Sequence, residues 1–175
     1  VAIVRERERG NLELLITTPV LSFELMIGKI VPYIFIGYIQ ISIILLLGVS
    51  LFDVPVRGTL LDFYLGAGVF VISILSLGLL ISTIAETQFQ AFQVTFMSFL
   101  PQLLLSGFMF PFEGMPKAAQ YLAELFPLTH FLRIVRGIVL RDAELAMLTA
   151  ELWPLALFFV IVMFLATKRF QKRLD

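Results

Sequence analysis

The residues that could do chemistry are few. His130 is the single histidine in 175 residues, and there is no cysteine. A catalytic zinc site needs three protein ligands, and no HExxH or comparable spacing supplies them. No GxxxxGK[ST] loop offers backbone N–H groups to a nucleotide phosphate. No GxSxG elbow presents a serine nucleophile. His130, beside Phe131, therefore reads as an interfacial structural residue rather than as a base. What remains is charge and neutral polarity. Arg5, Glu6, Arg7, Glu8 and Arg9 alternate in sign. Arg133 and Arg136 stand three apart, on one face of a helix. Gln40, Ser42, Ser73, Ser76, Ser82, Gln93, Thr95, Ser98 and Gln102 are neutral polar groups within long apolar stretches.

Those stretches decide the fold class. Residues 30–52 carry no Asp, Glu, Lys or Arg over 23 positions, 63–85 none over 23, and 87–112 none over 26. A fourth run, 152–167, has 16 and extends to residue 146 if Glu151 lies at an interface. A helix crossing the hydrocarbon core needs about 20 mostly apolar residues. With 59% hydrophobic and only 15% charged residues, the chain lacks the polarity to cover a water-soluble surface, where about 25% charge is usual. The expected fold is an all-α integral membrane protein with four spanning helices at 23–52, 61–85, 89–111 and 147–168. Ser22 is placed to cap the first, with Glu24 in its positive first turn. Residues 53–58 form the first turn and 85–90 the tight link between the second and third helices. Zero net charge gives no case for nucleic acid.

Four crossings put both ends on one side. That side carries Arg5, Arg7, Arg9, Lys29, Lys168, Arg169, Lys172 and Arg173, against Arg57, Lys117, Arg133, Arg136 and Arg141 on the other. The bias favours cytoplasmic ends and sets Trp153 near the outer interface. Ionisable groups are missing inside the spans, which argues against coupling to protons or sodium. Gly78 with Ser82, and Ser98 with Gln102, are spaced for close helix packing. Phe89, Phe92, Phe96 and Phe99 form a stripe that suits lipid or a neighbouring helix.

Two segments do not span. Residues 5–20 alternate in charge, then place Leu12, Leu15 and Ile16 on one helical face before Pro19 ends the pattern. This amphipathic helix suits either a place on lipid headgroups or docking to a soluble partner, and Glu6, Glu8 and Glu13 count against anionic headgroups. On the outer side, 115–126 and 128–140 show helical apolar spacing, separated by Pro127. They read as a pair of half-length re-entrant helices within 113–141. Arg133 and Arg136 must there face water, headgroups or an acidic partner.

The run RERERGNLELLITTPV, continuing into LSFELMIGKIVPYIFIGYIQ, resembles the start of the C-terminal half of type-2 ATP-binding-cassette exporter permeases. The segment LLSGFMFPFEGMPKAAQYLAELFPLTHFLRIVRGIVLR is similar to a second region of that family, in the right order. The resemblance implies a coupling helix near residues 11–18 that sits in a cleft of a separate ATPase subunit. Arg5, Glu6, Glu8, Gly10, Glu13, Leu14 and Pro19 belong to that coupling segment, and Glu8, Glu13 and Leu14 would touch the ATPase. It implies an outer re-entrant pair carrying Pro111, Pro116, Pro127, Arg133 and Arg136, and a central path between two permease halves, for which Gln40, Gln93, Met97 and Gln102 within the spans are the candidate lining residues. No cofactor is expected in this chain; ATP and Mg belong to the partner ATPase. The other implied partners are a second permease copy or paralogue and the bilayer of a bacterial or archaeal cell. Since such permeases have six spanning helices, the resemblance implies two more before Val1. Competing readings are an ATP-independent secondary transporter or channel, and a membrane anchor or assembly subunit.

Overall fold

The computed structural model describes Val4 and residues 22–171. Among them there are only helices, turns and loops. Helix α1 (Ser22–Phe52), α2 (Leu60–Ile84), α3 (Gln88–Leu105), α4 (Lys117–Ala123), α5 (Pro127–Arg141) and α6 (Thr149–Gln171) follow one another. Single 3-10 turns stand at Phe112–Gly114 and Leu145–Leu148. Three stretches, Glu24–Phe52, Leu60–Ile84 and Leu145–Phe170, are long and apolar enough to cross a membrane. Helix α3 is uncharged, but at 18 residues it rises only about 27 Å, and Gln88, Gln90, Gln93 and Gln102 dilute its apolarity.

Helix ends follow local chemistry. Thr59 caps α2 by accepting a hydrogen bond from the Asp62 N–H at 3.2 Å, and Thr87 caps α3 through the Gln90 N–H at 3.1 Å. Gln90 reaches back to the Glu86 N–H at 2.7 Å, closing a capping box one residue early. Helix α3 stops at Leu105, short of the expected residue 111. Ser106 caps it and Gly107 takes φ +83°, a left-handed geometry that glycine adopts without a Cβ clash. Helix α5 begins on Pro127, whose missing N–H costs nothing in a first turn, and ends where Asp142 turns left-handed and the Ala143 N–H bonds the Gly137 carbonyl.

Helix α2 is the hub, packed against α1, α3, α5 and α6. Small residues allow this. A Cβ on Gly68 would strike the Tyr38 hydroxyl, and one on Gly37 would press Val71 at 3.0 Å. Tyr38 donates to the Tyr64 carbonyl at 3.2 Å, and Ser42 and Tyr64 share a hydrogen bond of 2.7 Å. Ser73, fully buried, donates to Val69 O of its own helix and to Leu155 O of α6. One apolar cluster joins Met26, Ile30, Leu79, Met163 and Ala166 at the end of the bundle where the chain enters α1. Another joins Phe63, Ile134, Ile138, Val139 and Leu155 at the opposite end. The outward faces are apolar too: Phe35, Ile44, Leu46, Leu51 and Phe164 are all more than half exposed. In water such a surface would aggregate; in lipid it is the expected exterior.

Candidate functional site: an ionic knot and the helix beside it

Helices α4, α5 and α6 meet at a cluster of four charged side chains. Pro127 starts α5 immediately after α4, and the Thr129 hydroxyl donates to Ala123 O at 2.7 Å, fixing the corner. Stacking of Phe131 on Phe70, centroids 4.0 Å apart, ties α5 to α2. His130 and Arg133, three residues apart, then share a face of α5 turned toward Glu124, the C-cap of α4, and Glu151, in the first turn of α6.

Arg133 Nη2 lies 2.6 Å from Glu124 Oε1, and Nη1 lies 3.0 Å from Glu124 Oε2, a bidentate pair. Nη1 also reaches Glu151 Oε2 at 3.3 Å. The guanidinium stands over the Phe112 ring at 4.6 Å. Of the surroundings left open for Arg133 (water, headgroups or an acidic partner), these contacts supply the last. Arg136 Nη2 instead donates to the Gly107 carbonyl at 2.8 Å, so the turn after α3 is held from α5.

His130 is buried at 4% exposure. Its Nε2 faces the Glu124 carbonyl at 2.9 Å and its Nδ1 faces Glu151 Oε2 at 2.6 Å. A carbonyl only accepts, and so does an ionised carboxylate. Both ring nitrogens must then carry hydrogen, and His130 is an imidazolium. Burial alone pushes its pKa down, but the hydrogen bonds to Glu151 and the Glu124 carbonyl, with both carboxylate charges, outweigh it and leave the pKa above 6.5. Two cations and two carboxylates make a neutral knot. It has no nucleophile, and among the described residues every buried side-chain nitrogen and oxygen has a hydrogen-bond partner. Nor do three metal-ligating groups converge anywhere among them. The arrangement fastens α4, α5 and α6 to one another.

The other expected site residues fall apart. Pro111 precedes the Phe112 turn, Pro116 caps α4 and Pro127 opens α5. The first of the two is shorter than the expected 115–126, because Pro116 delays it to Lys117 and Glu124 closes it, whereas the second, Pro127–Arg141, exceeds the expected 128–140 by one residue at each end. Gln93 and Met97 point away from the bundle on α3, Met97 at 73% exposure, together with Phe89, Phe92 and Phe96. Gln102 is on the opposite face, buried, with its Nε2 donating to Ser98 O at 3.2 Å. Gln40 is exposed on α1. The structure thus does not bring the four path residues together within one chain. Arg5, Glu6, Glu8, Gly10, Glu13, Leu14 and Pro19 lie outside the described residues. Sequence reasoning missed Glu124 and Glu151; the signal available was two acids flanking a His-x-x-Arg face in otherwise apolar surroundings.

The profile of a family described as ABC-2 type transporter matches residues 1–140. The chain belongs to the ABC-2 type transporter family. Among curated relatives of this ABC-2 chain, the probable multidrug ABC transporter permease YbhR of Escherichia coli K12 is 38% identical over 154 residues, covering 88% of this chain and 42% of that protein. The probable multidrug permease YbhS of the same strain is 35% identical over 177 residues, covering 99% and 46%. ABC transporter G family member 20 of Dictyostelium discoideum is 26% identical over 175 residues, covering 96% and 24%. The ABC-2 chain therefore spans less than half the length of these relatives. No solved structure matches it.

Proposed function

We propose that this chain is the membrane-spanning permease part of an ATP-driven exporter of the bacterial or archaeal cell membrane, moved by a separate ATPase that binds ATP and Mg. The observation that carries the reading is where charge sits. Among the described residues, the middles of α1, α2, α3 and α6 have no acids or bases; outside α5, which carries His130, Arg133 and Arg136, charge lies near helix ends or in the connections. An ion-coupled carrier needs a titratable or ion-binding group at depth. Described spans without one fit a permease driven by an external engine, and permease relatives of ABC transporters supply the precedent.

In this reading α3 is the fourth crossing, and both ends of the chain are cytoplasmic. Its glutamines and exposed Gln93 and Met97 fit a helix facing a second permease copy across the path better than one facing lipid alone. Gln102 belongs to the packing of α3 and not to that path. Helices α4 and α5 are the outer re-entrant pair, held in place by the ionic knot. Residues 5–20 form the coupling helix that receives the ATPase stroke. The Phe-rich outward face of α3 suits a hydrophobic or amphipathic cargo, in keeping with the multidrug names of the bacterial relatives.

The test is crosslinking in the full-length protein, made simple by the absence of cysteine here. A Leu14→Cys variant is paired with cysteines in the cleft of its co-expressed ATPase, with and without nucleotide. A crosslink whose yield changes with nucleotide is expected. If stable protein gives none, residue 14 is away from the engine and ATP-independent transport becomes the better reading.

A further inference from the structure

The segment between α3 and α5 is tied to itself. Gln120 Nε2 donates to Phe112 O at 3.2 Å and to Met115 O at 3.0 Å, so the Phe112–Gly114 turn and α4 make one unit. Of the other helices, α4 packs on α3, and it leaves Tyr121, Leu122 and Leu125 exposed. Side chains of α5 hold the unit at both ends. At one end Arg136 binds the Gly107 carbonyl and Arg133 lies over Phe112. At the other, Glu124 gives its carboxylate to Arg133 and its backbone carbonyl to His130. We propose that residues 108–126 are a lid, latched shut by protonated His130 and released when that proton leaves.

The latch follows from where hydrogens can sit. In the closed lid both ring nitrogens face acceptors, Glu151 Oε2 at 2.6 Å and Glu124 O at 2.9 Å. A neutral imidazole has one N–H and satisfies only one of them. The charged carboxylate makes the stronger bond, so the hydrogen stays on Nδ1 and the Nε2 lone pair is left against the Glu124 carbonyl. Arg133 is then a single cation between two carboxylates, and Glu124 and Glu151 repel each other. Helix α6 is packed along α2, whereas α4 has seven residues, so α4 is the element that gives way. The lid hangs from the end of α3, and its release frees the helix that borders the proposed path.

No further charge takes the place of the lost proton. Glu124 from α4, Arg133 from α5 and Glu151 from α6 are the charged groups of the knot. Helix α3 and the Leu145–Leu148 turn carry none. Helix α2 carries only Asp62, about two turns from the Phe70 that stacks on Phe131. Water reaches the knot through Glu124 and Arg133, whose side chains are 40% and 31% exposed. The pKa of His130 stands above 6.5 in the closed lid and returns to about 6.5 once these partners leave. Closure is therefore favoured below about 6.5 and lost as pH rises through the folded value.

The test is a distance measurement between spin labels on the full-length protein in lipid nanodiscs, where both faces meet the same pH. Labels on Tyr121→Cys and Trp153→Cys, both at exposed positions, report α4 against α6. One short distance is expected at about pH 6, with a longer population growing reversibly toward about pH 9. Its ratio to the short one should rise by up to about tenfold per pH unit until the folded pKa is passed. Glu151→Gln should abolish this response, because the amide accepts from the imidazolium and donates to the neutral ring. Should that variant not accumulate, His130→Gln must be flat in its place. A distance that ignores pH in the native background overturns the lid. So does an undiminished response in Glu151→Gln, which would assign the titration to another group. Labels on Phe35→Cys and Val160→Cys, exposed on α1 and α6, should stay fixed; their parallel movement would overturn the lid in favour of general loosening. None of this needs ATPase or substrate, so failure here leaves the export reading standing.

Discussion

Changing Glu151 to Gln removes one charge from the ionic knot while keeping its shape. In the native cluster Glu151 Oε2 accepts from His130 Nδ1 at 2.6 Å and from Arg133 at 3.3 Å. The pair is sheltered, with side-chain exposures of 6% for His130 and 19% for Glu151, so screening by water discounts it only in part. Hydrogen bonds to charged groups contribute about 1.5–3 kcal/mol. A neutral amide retains a weaker bond to His130, so the expected loss is about 2 kcal/mol. For a chain of this size that lowers Tm by about 4–8 °C. The pH dependence is more diagnostic. His130 has its folded pKa raised above 6.5, so its contribution is fully present below about 6.5 and is lost as pH rises through the folded value. Detergent-solubilised native protein should therefore lose thermal stability as pH rises from about 6.5, whereas Glu151→Gln and His130→Gln should both flatten that slope. The assay is a thermal unfolding series at several pH values on the full-length protein. A Tm within about 1 °C of native, with an unchanged pH slope, would refute the assignment of His130 as a structural imidazolium.

Other expectations are more local. Arg133→Met strips both Glu124 and Glu151 of the guanidinium and should destabilise by about 1–3 kcal/mol, read as faster proteolysis of the segment between α3 and α6. Gly58→Ala would set a Cβ 2.5 Å from Ile138 O and should cost about 1–3 kcal/mol, seen as lower Tm, because the loop must retreat from its bonds to α5. Ser73→Ala removes one buried bond between α2 and α6, and an interhelical bond in a membrane averages about 0.6 kcal/mol; a Tm shift of about 1–2 °C is expected. Glu13→Arg with Leu14→Asp should abolish co-purification with the ATPase while leaving membrane insertion intact, and unaltered transport would sink the proposed coupling role.

Long uncharged runs made α1, α2 and α6 legible, because length and apolarity are all a bilayer requires. The caps at Thr59 and Thr87 went unread, because the composition of the turns before α2 and α3 marks a link without showing which side chain closes the helix. The end of α3 was not legible either, since the residues after Gly107 are as apolar as those before it and only the left-handed turn separates them. The knot was hard to read for a different reason: Glu151 lies 21 residues from His130, and no spacing rule joins it to the His-x-x-Arg face. Arg133 carried the one usable hint, since a guanidinium within an apolar helix needs an acid close by. The path reading rested on polar residues within the spans, and these do not converge within one chain. Gln93 and Gln102 look alike in sequence, but their separation along the helix turns them to opposite faces.

The loop between α1 and α2 has a consequence for anyone placing a tag or reporter in this chain. The Arg57 and Gly58 N–H groups donate to Val139 O and Ile138 O at 3.1 and 3.0 Å, closing carbonyls in the last turn of α5 that the helix cannot satisfy itself. An epitope inserted between Asp53 and Thr59 would unfasten a helix far along the chain, so a lost signal there would report damage rather than sidedness. The turn at Asp142–Glu144 carries the same risk, because the Ala143 N–H closes the Gly137 carbonyl of that helix.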